Sequence, residues 1–297
     1  MSPNAPIAIL DSGLGGLTVA RSLRALLPHE QLIYFGDTAR APYGWKSDRT
    51  VTGFVRQMII YLRRHQPKHL VIACNTAAAL ALPALRAEFP ELSISGVVEP
   101  AARASIEVAG AKGFPLIAIM ATEGTIWSKA YEKAIHRRRH HARLLLRPAP
   151  LLVPLVEEGR EPGDPLVKLA LEQYLVPLVQ RGADVLILGC THYAILKPQV
   201  RRIVGPKLPL IDSAKRCAED VARRLQVANL LRGGGVGGGA GVASGSLGCV
   251  VTDDSPRFRT LASRFLGEEP DPPTLVTPDE LHLLADEARQ EPLRQSA

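Results

Sequence analysis

The chain alternates short aliphatic runs with longer amphipathic stretches. "IAIL" (Ile7 to Leu10) meets a glycine turn and then "LTVARSLRALL", where apolar positions recur at helical spacing. That pattern predicts a strand, a turn and a helix. The same order returns in "QLIYFGD" (Gln31 to Asp37), in "HLVIACNTAAALALPALRAEF" with a helix from about Ala77, and in "ISGVVEPAARASIEVA". It continues through "PLIAIMATEGTIWSKAYEKAI", "ARLLLRPAP" and "DVLILGCTHYAILKPQVRRIV", the last with a strand beginning near Asp184. Strands that are apolar throughout, each feeding a helix, belong in parallel sheets covered on both faces. The fold class is therefore α/β.

In such sheets ligands bind beyond the carboxyl ends of the strands. Polar residues gather there: Asp11 and Ser12 after the first strand, Asp37 after the second, Cys74 to Thr76 after the third, and Cys190 to His192 after the strand near Asp184. Two of these ends are alike. "VIACNT" (Val71 to Thr76) and "LILGCTH" (Leu186 to His192) each close an aliphatic run on a cysteine followed by small polar or ionisable residues. A cysteine between a strand and a helix faces unpaired N–H groups and the helix dipole. Both favour a thiolate and would draw the pKa from about 8.5 toward neutrality. Two such cysteines on opposite sides of one ligand offer a base and an acid, the pair a racemase or epimerase uses to take a proton from one face and return it to the other. His192 can orient or deprotonate Cys190, and Asp11 can serve Cys74 or hold a substrate ammonium.

"DSGLGG" (Asp11 to Gly16) lacks the third glycine of a dinucleotide fingerprint and the Lys-Ser/Thr pair of a P-loop, so it predicts no nucleotide site. It suits a tight turn that brings backbone N–H groups to a small anion. "APYG" (Ala41 to Gly44) and the polar groups of Ser12, Asn75, Thr76 and Thr191 suit the α-carboxylate and α-amino groups of an amino acid. Cys217 and Cys249 have no such setting and read as buried core residues.

A length of 297 residues admits two domains, and 46% hydrophobic with 22% charged residues is the composition of a soluble globular protein. No apolar run approaches the roughly 20 residues that span a bilayer, and the N-terminus lacks the features of a signal peptide, so we expect a cytoplasmic protein with no membrane partner. Four cysteines without a CxxC pair are expected to stay reduced and to hold no metal. The net charge of +7 raises the question of nucleic acid, but the densest basic run, "HRRRHHAR" (His136 to Arg143), reads as a solvated helix face, and no nucleic-acid partner is expected. The glycine-rich segment 233–248 predicts a flexible loop before the strand "CVVTDD". The acidic, proline-rich tail after Gly267 is expected to be partly ordered at most.

The motifs "DSGLGGLTV", "YFGDTARAPYG", "VIACNTAAA", "GVVEP", "VPLVEEG", "LILGCTHYAILKP", "LIDSA" and "TDDSPRF" stand in an order that resembles the cofactor-independent aspartate/glutamate racemase family, most closely its glutamate-specific members. The resemblance implies interconversion of L- and D-glutamate by two bases, with Cys74 acting on the D-isomer and Cys190 on the L-isomer, and no cofactor or metal. It implies substrate contacts from Asp11, Ser12, Tyr43, Gly44, Asn75, Thr76, Thr191 and His192. A helping carboxylate is implied at Glu157, in a register that the adjacent Glu158 leaves open. It also implies two similar lobes with the site between them, residues 1–97 plus 210–297 forming one and 98–209 the other, in a homodimeric enzyme that supplies D-glutamate for peptidoglycan. The glycine-rich loop is not part of the family's pattern. Two alternatives stay open: a relative acting on aspartate or another small acid, and a regulatory protein that inhibits a DNA-handling enzyme.

Overall fold

Residues 2–234 and 244–295 are described in this computed structural model, and their ten strands form two parallel sheets. The chain opens with β1 (Ile7–Asp11), α1 (Leu17–Leu26), β2 (Leu32–Gly36), α2 (Asp48–Arg63), β3 (His69–Ile72), α3 (Asn75–Leu80), α4 (Leu82–Glu88) and β4 (Ile94–Gly96). It continues with α5 (Val98–Ala109), β5 (Leu116–Ala121), α6 (Glu123–Trp127), α7 (Ala130–His136), β6 (Arg143–Pro148), α8 (Leu152–Glu157), α9 (Pro165–Gln180), β7 (Val185–Gly189), α10 (Lys197–Val204) and β8 (Leu210–Asp212). The return comprises α11 (Ser213–Val227), β9 (Leu247–Val251), α12 (Pro256–Leu266), β10 (Thr274–Leu275) and α13 (Pro278–Gln295).

The first sheet is ordered β10-β9-β2-β1-β3-β4 and the second β6-β5-β7-β8. Within each, four strands follow one scheme: second, first, third, fourth. The first strands, β1 and β5, are buried at every position, with a parallel neighbour on each side. Beside each of them the chain order reverses, which opens a crevice at the carboxyl ends of the first and third strands. Cys74 follows β3 and Cys190 follows β7. The likeness of "VIACNT" and "LILGCTH" is therefore a likeness of strand position.

Several expectations change. The strand β8 pairs with β7, so the second sheet runs three residues past the expected division at 209. The helix after Cys74 starts at Asn75 rather than Ala77, with Cys74 itself as its cap. The loop expected over 233–248 ends earlier, because Leu247 and Gly248 pair with β2, and its stretch 235–243 lies outside the described residues.

The described residues of the tail pack on the first lobe's sheet and helices: β10 extends the first sheet and α13 packs on α2 with Leu281 fully buried. Its composition concealed a capping box, in which the Thr277 hydroxyl accepts the Glu280 N–H (3.3 Å) and Glu280 accepts the Thr277 N–H (2.6 Å). Burial of one leucine contributes about 1.5–3 kcal/mol toward holding the helix on α2.

The basic run is largely engaged by the fold. Arg137 and Arg138 both pair with Glu99, and Arg139 donates to the carbonyls of Gly110 and Lys112 (3.0 Å each) at the end of α5. No helix among the described residues is long and apolar enough to cross a membrane.

Below the first sheet, Lys68 and Glu30 form a buried ion pair at 2.5 Å. The Lys68 ammonium also donates to the carbonyls of Pro3 (2.6 Å) and Leu230 (2.7 Å), and Glu30 accepts the Arg232 N–H (2.9 Å). Removing one partner strands the other charge. Lys68→Met should cost about 3–5 kcal/mol in urea denaturation, and adding Glu30→Gln should recover a large part of the loss; equal stability of the two variants would contradict this reading.

Candidate active site

A cavity of about 130 Å³ lies at the carboxyl ends of both sheets. At about 30 Å³ for each water, the space holds a few waters or a small metabolite. Ser12, Tyr43, Gly44, Cys74, Asn75, Thr76, Glu157, Cys190, Thr191 and His192 line it. Among the residues expected from sequence, Asp11 alone stands behind the wall.

Cys74 caps α3, and its sulfur accepts the Ala77 N–H at 3.5 Å. The sequence predicted a thiol drawn toward neutrality; instead Cys74 is pushed up to about 12, chiefly by burial and next by the nearby Asp11 carboxylate. The donors Ser12 and Ala77 oppose this but are outweighed, since a six-residue helix offers little dipole against full desolvation. Asp11 is itself raised by burial. One carboxylate oxygen accepts the Gly13 N–H at 3.0 Å, and the other has no hydrogen-bond partner among the described residues. This half-site favours a proton on Cys74.

The second half-site is built differently. His192 Nδ1 approaches Cys190 Sγ at 3.9 Å, and His192 Nε2 lies 2.9 Å from Glu157 Oε1. Burial alone would lower the imidazolium's pKa, but the hydrogen bonds to Cys190 and Glu157 outweigh it and raise His192 to about 10. The ring of Phe265 meets His192 edge-on at 5.1 Å. Cys190 thus has a positively charged neighbour where Cys74 has a carboxylate. Glu157 is thus the carboxylate placed at the site, while Glu158 pairs with Arg160 at 3.0 Å.

Other side chains hold the walls. The Asn75 amide accepts from Tyr131 (2.8 Å) and donates to Ser213 (3.3 Å). The Tyr43 hydroxyl donates to Asp37, which also accepts from Arg40 (2.8 Å) and Thr252 (2.9 Å). Thr122 was missed by the sequence reading. It follows β5 as Ser12 follows β1, lines the cavity, and shares hydrogen bonds with Thr76 (2.8 Å) and Thr125 (2.9 Å). The signal was present in "IAIMATEGT", another strand ending on polar residues. Cys217 and Cys249 line no part of the cavity, and burial pushes both thiols up, Cys249 to about 11.

The halves meet at Gly15. A methyl group there would come 2.6 Å from His192 Nδ1 and 2.8 Å from Cε1. Gly15→Ala should therefore cost about 1–3 kcal/mol of stability through overpacking. It should also lower any racemisation by about 10²-fold by displacing groups that line the cavity. Full activity in that variant would mean that the approach is not needed.

Titration gives a second check. His192 binds its proton more tightly when folded, so its contribution to stability is complete below about pH 6.5 and is lost as pH rises toward 10. His69, held between Ser93 and Ser95 (2.8 Å each), is lowered to about 4 chiefly by burial. Its contribution is present above about pH 6.5 and lost as pH falls toward 4. His192→Asn should flatten the alkaline limb of stability against pH, and His69→Gln the acid limb. Unchanged limbs in urea denaturation would contradict both assignments.

Comparison with known proteins agrees with this geometry. Residues 17–221 match the family model described as Asp/Glu/Hydantoin racemase. The glutamate racemase of Neisseria meningitidis serogroup A is 41% identical over 262 residues, 88% of this chain and 93% of that one. The crystal structure of glutamate racemase from Francisella tularensis in complex with D-glutamate superposes with a TM-score of 0.83 at 30% identity, covering 93% of this chain and 98% of that one. The enzyme from Thermus thermophilus in complex with beta-chloro-D-alanine gives 0.81 at 39% identity, covering 94% and 100%. Two sheets of one strand order, a cysteine after the third strand of each, and these matches along most of the chain place the protein in the Asp/Glu/Hydantoin racemase family.

Proposed function

We propose that this protein is a glutamate racemase working by proton transfer between two cysteines. The observation that carries this reading is the single cavity lined by Cys74 from one sheet and Cys190 from the other, each with its own ionisable helper. Similarity to glutamate racemases supports glutamate as substrate. In the L-to-D direction the Cys190 thiolate takes the Cα proton and Cys74, held as a thiol by burial and Asp11, delivers its own proton to the opposite face. In the reverse direction the roles exchange. His192, backed by Glu157, steadies charge on Cys190, and Asp11 does the corresponding work for Cys74.

The substrate is held by Ser12, by the backbone of Tyr43 and Gly44, by Asn75 and Thr76, and by Thr191 and His192, with Asp11 acting from behind Ser12. The Tyr43 hydroxyl is engaged by Asp37, so that residue contributes through its N–H. The negative charge that develops at Cα and its carboxylate is met by these donors in a cavity from which substrate excludes water. Residues 1–97 with 213–297 form one lobe and 98–212 the other. We further propose a cytoplasmic homodimer that supplies D-glutamate for peptidoglycan, with no cofactor or metal in the reaction.

Incubation with L-glutamate in deuterium oxide should give racemic glutamate labelled at Cα with no added cofactor. Retained rotation without label would contradict the reading, and turnover of aspartate alone would move the substrate to the shorter acid. Cys74→Ala and Cys190→Ala should each lower racemisation by about 10³-fold or more, whereas near-normal turnover in either variant would remove that cysteine from the mechanism.

A further inference from the structure

His192 and Glu157 both belong to the half of the chain that carries the second sheet, yet two consecutive residues of α12, which follows β9 of the first sheet, reach across to hold them. Glu157 is the last residue of α8, a helix of only six residues whose final carbonyls lack partners within the helix. Arg264 donates to two carbonyls that bracket Glu157, those of Val156 (3.4 Å) and Arg160, and lies 3.5 Å from the Glu161 carboxylate. The next residue, Phe265, is 1% exposed, and its ring meets that of His192 at 5.1 Å with 78° between the planes. Neither Arg264 nor Phe265 lines the first cavity.

The pair needs such support because its geometry has little slack. Both ring nitrogens of His192 are committed, Nε2 to Glu157 at 2.9 Å and Nδ1 to Cys190 Sγ at 3.9 Å. A turn of the ring about its Cβ–Cγ bond, or a shift of the end of α8, breaks at least one of these contacts. Gly15 lies against the edge of the ring made by Nδ1 and Cε1, and Phe265 packs on it from α12. Arg264 meets carbonyls at a helix C-terminus, where a cationic donor is favoured by both hydrogen bonding and the helix dipole.

We propose that Arg264 and Phe265 are positioning residues for the reaction: from the far side of the seam they hold the Glu157 carboxylate and the His192 ring in the alignment that places the imidazole beside Cys190. Neither touches substrate, and no proton passes through either. What they supply is geometry, and through it the charge beside the sulfur. Their effect on rate rests on the racemase reading above; the alignment itself does not.

Phe265→Leu removes the ring and Arg264→Met the guanidinium. Phe258→Leu is the control, since Phe258 is the other buried phenylalanine of α12, 2% exposed, and the ring contact of His192 is with Phe265 instead. The kcat/KM for glutamate should fall about tenfold or more in the first two variants and stay within about twofold of wild type in the control. The enantiomers have equal free energy, so both directions must lose the same factor and either serves for the assay. In a Glu157→Gln background the pair is already weakened, and there Phe265→Leu and Arg264→Met should each cost less than about threefold. A merely structural role would cost the same factor in both backgrounds. Equal factors, or an unchanged kcat/KM in a folded Phe265→Leu, overturn the proposal.

Nitrogen NMR of the His192 ring gives a readout independent of turnover. Its midpoint, about 10 in the intact protein, should fall toward the ordinary value of about 6.5 in Phe265→Leu and Arg264→Met and stay in place in Phe258→Leu. The titratable and charged groups around the ring are Cys190, Glu157, the Asp11 carboxylate behind the cavity wall, and Arg264 with its partner Glu161. Removing Arg264 would raise the midpoint if it acted by charge alone, because a neighbouring cation is lost; a raised or unmoved midpoint in Arg264→Met overturns the alignment role. Melting curves accompany every variant, and Arg264→Met carries the test if Phe265→Leu unfolds. A wild-type protein that does not racemise glutamate overturns the functional reading, and the NMR comparison then decides the positioning on its own.

Discussion

The two halves share one site because residue 15 has no side chain. Its Cα lies against Thr191 and His192, at a separation where even a methyl group would overlap the imidazole. A second backbone contact, from the Gly124 N–H to the Gly44 carbonyl at 2.8 Å, joins the halves on the other side of the cavity. Strand order explains why each half presents a cysteine at a carboxyl end. These approaches explain why both cysteines line the same small space. Close packing at this seam leaves the groups that line the cavity little room to shift.

Within that frame the half-sites are unequal. Cys74 stands beside a buried carboxylate, one oxygen of which has no hydrogen-bond partner among the described residues, and both groups hold their protons more tightly than usual. Cys190 stands beside an imidazole held cationic by two hydrogen-bonded partners. Burial, with a neighbouring negative charge, holds the proton on Cys74, while the other cysteine has a neighbouring positive charge.

Much of this was legible in the sequence. Runs such as "IAIL" and "VLILG" are apolar at every position, which only a strand covered on both faces explains, and the polar residues after them marked the site. The paired cysteines and His192 could be read from those strand ends, and Glu157 entered through family resemblance. What could not be read was electrostatic or long-range. The helix that follows Cys74 announced a lowered thiol pKa, but burial in the folded protein and the nearby carboxylate of Asp11, far away in sequence, raise it. The choice of Glu157 over Glu158 depends on which face of α8 meets His192, 35 residues away. The order of the tail was hidden by its composition, although Thr277 and Glu280 carried the capping signal. Thr122 was overlooked only because the rule applied to β1 and β3 was not carried to β5.

The central claim is that the half-sites differ in charge before substrate binds, with His192 cationic between Cys190 and Glu157. Nitrogen NMR of the ring of His192, assigned by comparison with His192→Asn, measures this directly. The account predicts that the resonances stay those of an imidazolium well above neutral pH and titrate near 10, with the midpoint lowered by Glu157→Gln. An imidazole that titrates near its ordinary value of about 6.5 in the intact protein would contradict it.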